Sequence, residues 1–164
     1  MIYKLISGFI GITLALTPVS VLAEQYVNNK ALADLKSVNV YYDVNIGIPV
    51  KLKTRLMLID KTYDQLVAAG VTPHFVVGFR GKASYFVTKG DDYVLEEDLA
   101  IKKEVQQRTK AFMEKGIVVE QCQIAAELHD IVLTDFLPEM KVVQNGYISM
   151  IGYQAKGYSQ IAMD

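Results

Sequence analysis

Ser37-Val38-Asn39-Val40-Tyr41-Tyr42-Asp43-Val44, followed by the turn Asn45-Ile46-Gly47-Ile48-Pro49, decides the reading of this chain. Five of the first eight residues are β-branched or aromatic, the composition of a strand. Pro49 suits the first position of a helix, where its missing N–H costs nothing. Beyond it Leu52, Leu56, Ile59, Tyr63, Leu66 and Val67 recur at steps of three and four, one apolar helical face, until Gly70 closes it as a C-cap.

The unit then repeats. Pro73 to Gly78 reads as a second strand, buried on both faces by its composition. Ala83 to Val87 reads as a short helix or an edge strand, and Lys89 to Glu96 as a polar loop. A second amphipathic helix is expected from Glu97 to Lys115, with Ile101, Val105 and Phe112 on its apolar face and Gly116 as its stop. Ile117-Val118-Val119-Glu120 is a short strand that delivers Gln121-Cys122-Gln123, and Ile124 to His129 reads as helical. After the connector Leu133 to Met140 come a strand at Lys141-Val142-Val143, a helix from Gly146 to Lys156 and a closing strand at Tyr158 to Ala162. Strands alternating with helices through short turns imply an α/β domain with a mainly parallel sheet covered on both faces. No internal repeat or low-complexity tract interrupts it.

Working back to the start, Met1-Ile2-Tyr3-Lys4, the apolar run Leu5 to Leu16, then Pro18, Val21 and Ala23 have the three-part layout of a secretory signal. Cleavage is expected between Ala23 and Glu24, with release into the periplasm or the medium. The run is about a dozen residues and is broken by Pro18, whereas a spanning helix needs roughly 20, so no stable membrane insertion is expected. A lipid-anchored signal would need a cysteine at the cut, and the only cysteine is Cys122. Residues 24–36 form a polar lead-in, and residues 37–164 a single domain of ordinary size. The formal charge of the 164-residue chain is −1, which gives neither nucleic acid nor an anionic membrane a reason to bind. A lone cysteine cannot close an internal disulfide, so the domain must stand on its apolar core, and an unpaired thiol in an exported protein calls for explanation.

Several familiar sites are absent. The turn Asn45 to Pro49 has one glycine and no hydroxyl cluster, so it is neither a dinucleotide fingerprint nor a P-loop. His74 and His129 have no ligand-spaced partner, which leaves a metal site without support. His129 follows Cys122 by seven residues, about 10 Å of rise if the segment is helical, too far for a catalytic Cys–His pair. Cys122 itself stands just past a strand end and ahead of a helix. Chemistry collects at the carboxyl ends of parallel strands, and the positive end of a following helix favours the thiolate, the form that attacks. A free cysteine is also among the most buried of residues, so a packing role stays open.

Around Cys122 the chain resembles the DsrE/DsrF-like sulfur-relay family. The resemblance rests on Gly116-Ile117-Val118-Val119-Glu120-Gln121-Cys122, then Leu137-Pro138-Glu139-Met140-Lys141-Val142-Val143, Gly146, and Gln154-Ala155-Lys156-Gly157-Tyr158. It implies a three-layer α/β/α sandwich with a mainly parallel five-stranded sheet, assembly as a trimer or hexamer, and sulfane sulfur carried as a persulfide on Cys122. Val77-Gly78 stands where many relatives have a His-Gly pair, and the best-understood relatives work in the cytoplasm. The expected function is thus that of a periplasmic sulfur carrier or sulfurtransferase that exchanges sulfur with a thiol-bearing donor and acceptor and needs no cofactor. The alternative is a non-enzymatic oligomeric or small-ligand-binding protein on the same fold, with Cys122 only packing. A thiol redox protein would need a partner thiol, because no Cys-x-x-Cys pair is present.

Overall fold

The computed structural model describes residues 29–164; the expected signal segment lies outside the described residues. A short helix α1 (Asn29–Leu32) precedes β1 (Ser37–Val44), α2 (Pro49–Ala68), β2 (Thr72–Phe79), α3 (Leu99–Glu114), β3 (Val118–Cys122), α4 (Gln123–Leu128), β4 (Lys141–Val143), α5 (Gly146–Ala155) and β5 (Ser159–Ala162). The Ala83 to Val87 stretch is helical, within a 3-10 segment over Gly81–Val87. Pro49 opens α2, and Gly70 and Gly116 take positive φ just past the ends of α2 and α3, as their positions in the sequence suggest.

All five strands are parallel, in the order β4-β3-β2-β1-β5. That order determines where the helices lie. The chain steps one way across the sheet from β1 to β4, and then crosses back over three strands to place β5 beside β1. Crossovers between parallel strands are right-handed, so reversing the direction puts the connecting helix on the opposite face. Accordingly α2 and α3 pack together on one face, and α5 lies on the other against β1, β2, β3 and β5. The protein is a three-layer α/β/α sandwich.

The two faces differ in what they bury. On the α2/α3 face Val40, Tyr42 and Val44 of β1, Phe75, Val77 and Phe79 of β2 and Val119 of β3 join Leu52, Leu56, Ile59, Val105 and Phe112 in one apolar core. On the α5 face the apolar cluster is Tyr41, Val76 and Met150, with Val118, Tyr153 and Tyr158 against it. In α3 the inward positions are Lys102, Val105, Thr109 and Phe112, while Ile101, expected inside, is half-buried. Lys102 is fully enclosed, and its ammonium donates to Thr88 Oγ1 at 2.6 Å and to the carbonyl of Gly90. Thr109 donates back to the Val105 carbonyl at 2.8 Å. Val105 and Phe112 are inward as their spacing suggests, but hydrophobic periodicity cannot register a lysine that finds oxygen acceptors in a neighbouring loop, and so it names Ile101 where Lys102 is enclosed. Burial lowers the pKa of Lys102, with Asp91 and Asp92 acting in the other direction.

Candidate functional site

Asp43, Gly78 and Glu120 stand side by side in the register of β1, β2 and β3, and side chains at register partners of a parallel sheet share one face. Glu120 and Cys122 alternate with Gln121 on β3, so both point to the α5 face. Gln121 points to the other, where its Nε2 donates to Ser84 Oγ and to the Cys122 carbonyl, both at 2.9 Å. The α5 side of the sheet's carboxyl end therefore carries Asp43, Glu120 and Cys122 under one ten-residue helix.

Cys122 is a free thiol and 6% exposed. It is the N-cap residue of α4, as expected of a cysteine ahead of a helix, but it makes no side-chain cap bond there, and α4 has only six residues. The donor that meets the sulfur comes from elsewhere: the backbone N–H of Gly146, the first residue of α5, donates to Cys122 Sγ at 3.2 Å. The absence of a side chain at 146 permits this approach. A Cβ there would lie 3.1 Å from Cys122 Cβ and 3.5 Å from Sγ. Asn145 caps the same helix, accepting from the Tyr147 amide at 2.9 Å.

Two polar anchors hold α5 to the sheet. Asp43 accepts Arg80 Nε at 2.6 Å and a terminal guanidinium nitrogen at 2.7 Å, a bidentate pair in which the carboxylate is buried. Arg80 in turn donates to Tyr147 Oη at 3.2 Å, and its guanidinium carbon sits 4.9 Å from that ring's centre. The other anchor is Glu120, also 6% exposed, which accepts from Ser149 Oγ and from Tyr153 Oη, the latter at 3.2 Å. Tyr41 lies between the two carboxylates. Its hydroxyl passes over Gly78 so closely that any Cβ at 78 would collide with it, so here Gly78 is required by the ring above it. Burial, then Glu120 and Asp43, push the Tyr41 hydroxyl well above the usual phenol range, and burial with Glu120 pushes Tyr153 up to about 12.

A cleft of about 280 Å³ opens beside the cysteine, lined by Gln123, Ile124, Glu127, Gln144, Asn145 and Ile148, so it is bounded by the chain neighbours of Cys122 and Gly146. A larger open cleft of about 530 Å³ lies at the opposite end of β3, against Ile117, Val118 and the end of α3, and shares no lining residue with the first. Of the histidines, His74 is exposed, and His129 Nδ1 is 3.1 Å from Tyr85 Oη. Among the described residues no three His, Cys, Asp or Glu side chains gather as a metal site. No described helix is long and apolar enough to cross a membrane.

Of the residues that matter here, the sequence points to Cys122 alone. Asp43, Arg80, Glu120, Ser149 and Tyr153 emerge only from the fold, although charged residues inside the runs Val40 to Val44 and Val118 to Cys122 carry a signal. A carboxylate flanked by strand-forming apolar residues needs a partner wherever its face is covered.

The fold and the enclosed thiol define the class as an all-parallel α/β/α sandwich with a cysteine at a strand end. No protein-family model matches the chain, and no curated protein matches it. Among solved structures it is similar to MTH1491, a protein of unknown function from Methanobacterium thermoautotrophicum, at 15% identity and a TM-score of 0.55, covering 79% of this chain and 99% of that one. The likeness is one of fold.

Proposed function

We propose that this protein is a sulfur carrier, exported to the periplasm or beyond, in which Cys122 accepts sulfane sulfur and passes it on. The Cys122 thiolate attacks the outer sulfur of a persulfide or polysulfide donor; a new S–S bond forms at Cys122, the donor's S–S bond breaks, and the donor leaves as a thiolate. The reverse attack by an acceptor thiolate on the outer sulfur of the Cys122 persulfide restores the starting state. No electron is gained or lost overall, and no cofactor is required. The observation that carries the reading is the Gly146 N–H on Cys122 Sγ at 3.2 Å: an amide at the start of a helix stabilises negative charge on sulfur, whether thiolate or terminal persulfide. The cleft beside it gives a donor a place to enter.

The test is intact mass measurement of the mature protein after incubation with polysulfide, with Cys122→Ser beside it. Sulfur-sized increments confined to the wild type are expected; no increment in either rejects the carrier. The second reading, that Cys122 only packs, is favoured by its 6% exposure and by the close fit of Gly146 on it. Under that reading the thiol resists alkylation until the protein unfolds.

Export and assembly belong to the same proposal. Protein from the native host is expected to begin at Glu24 or within a few residues of it, and a retained Met1 on membrane-bound material rejects export. Assembly as a trimer or hexamer finds support in α5, whose outer side exposes Tyr147 (57%), Ile148 (66%) and Ile151 (64%). Met150 and Tyr158 of the same closing segment pack instead in the cluster with Tyr41 and Val76.

A further inference from the structure

We propose that Glu120 is a positioning residue for Cys122, acting through α5; the inference rests on the reading of Cys122 as a reacting thiol. Glu120 is 94% enclosed, and no Lys, Arg or His pairs with it among the described residues. An enclosed carboxylate without a cation is a poor contribution to stability, and an apolar side chain packed against Met150 would serve the layer better. What the carboxylate does provide is two fixed points on one helix. Ser149 and Tyr153 are four residues apart, on one side of α5, and both hydroxyls donate to it. Two bonds from successive turns to one carboxylate set both the rotation of α5 and its position along its axis. Gly146 lies one turn before Ser149, so its amide arrives at Cys122 Sγ because the helix is held there. The Asp43–Arg80–Tyr147 chain fixes the same first turn from the β1 side. Glu120 and Cys122 are two residues apart on one side of β3, so the strand carries both the clamp and the thiol that the clamp serves.

Geometry and charge make opposite demands, and this makes the inference testable. A carboxylate acting on Cys122 through space alone would disfavour the thiolate, and neutralising it would shift alkylation to lower pH. A clamp predicts the reverse, because loosening α5 removes the amide donor. The experiment uses the full mature protein and follows the pH profile of iodoacetamide alkylation together with hydrogen exchange at the Gly146 amide. Ser149→Ala combined with Tyr153→Phe leaves every charge in place; its alkylation midpoint is expected to rise by about one pH unit, the scale of one lost hydrogen bond to a charged group. Gly146 exchange should accelerate by about tenfold for the same loss. Glu120→Gln is expected to move both readouts in the same direction. A midpoint that stays put or falls in the folded double variant overturns the proposal, as does unchanged Gly146 exchange. Should the double variant fail to fold, Tyr153→Phe alone is expected to show a smaller shift of the same sign, and no shift there overturns the proposal equally. Polysulfide loading of the wild type is scored separately: a protein that takes up no sulfur rejects the carrier function, while the alkylation and exchange data still decide on the clamp.

Discussion

The face of the sheet under α2 and α3 and the face under α5 are made by the same three central strands, one residue out of step. From β1, Val40, Tyr42 and Val44 go to the first; Tyr41 and Asp43 go to the second. The first is covered by helices of 20 and 16 residues and holds nearly all the large apolar side chains. The second has one helix of ten residues over two carboxylates, a guanidinium, a thiol and a glycine that could not be anything larger. Stability and polarity are thus divided between the faces. The polar side chains buried on the well-packed side, Lys102, Thr109 and Gln121, each donate to an oxygen, and the contribution of that side allows the other to hold groups that a core built for stability alone would leave out.

The division predicts the largest effect on the α2/α3 face. Leu56 is fully enclosed there, and Leu56→Ala is expected to cost about 2–5 kcal/mol in urea unfolding, from lost burial and the cavity left behind. A cost under about 1 kcal/mol would mean that this face collapses easily and that the contrast is overstated.

On the α5 face the corresponding site is Gly78. Gly78→Ala forces the Tyr41 ring off the sheet, and overpacking of this kind costs about 1–3 kcal/mol. Because one ring is responsible, the double variant Gly78→Ala/Tyr41→Leu is expected to cost less than the two single changes added together. Additive costs would show that Gly78 is needed for some other reason.

How much of this could be read from the sequence also divides along the two faces. Leu52, Leu56 and Ile59, chosen by spacing alone, are all fully enclosed, since periodicity is a direct record of which side of a helix meets a core. Val67, the last of that series, is exposed, while its neighbour Leu66 packs against the core. A mainly parallel sheet covered on both faces was legible as strand–helix alternation, and the three-layer sandwich was what the family resemblance implied. Cys122 was legible as a strand end. Its hydrogen-bond partner was not: Gly146 lies 24 residues on, and meets the sulfur only because the β4-to-β5 connection recrosses the sheet on the opposite face. Local sequence favours the helix that follows Cys122, while tertiary topology supplies a different one. Glu120 and Asp43 were passed over for a related reason, since a charge within a strand has no meaning until the cover on its face is known.

Raising the pH should weaken both faces. Burial pushes Tyr42 up to about 12 on the first; on the second Tyr153 rises to about 12 and Tyr41 is raised further, all from an ordinary value of 10.0. A folded-state pKa above the unfolded value contributes stability that is complete below pH 10 and is lost as pH climbs through the folded value. Lys102 has the opposite sign: its pKa is lowered from 10.5, so its cost is complete at neutral pH and relieved as pH approaches 10.5. Three phenols outweigh one ammonium, so unfolding free energy is expected to fall from pH 10 towards 12. In an ultraviolet titration these phenols should ionise later than free tyrosine; normal titration of every tyrosine in the folded state would remove the argument.

The smallest expected change in stability is on the outside of α5, and it bears on whether the thinly covered face is completed by another copy of the chain. Ile148 and Ile151 are three residues apart, point away from the sheet and are 66% and 64% exposed, so neither supports the fold of one protomer. Replacing both, as Ile148→Lys with Ile151→Lys, should leave the unfolding free energy of the protomer within about 0.5 kcal/mol of wild type, as for other surface substitutions. Tyr147 is left alone, because it receives the Arg80 hydrogen bond. If these side chains form an interface between copies, two ammonium groups buried in it without partners would disrupt it, and light scattering at micromolar concentration should show the wild type as an oligomer and the variant as a monomer. A wild type that is monomeric, or a variant that stays assembled, removes α5 from the interface. A loss of stability well beyond 0.5 kcal/mol in a monomeric wild type would instead mean that the exposed isoleucines help hold α5 in place, and that the α5 face depends on its helix for more than the clamp on Cys122.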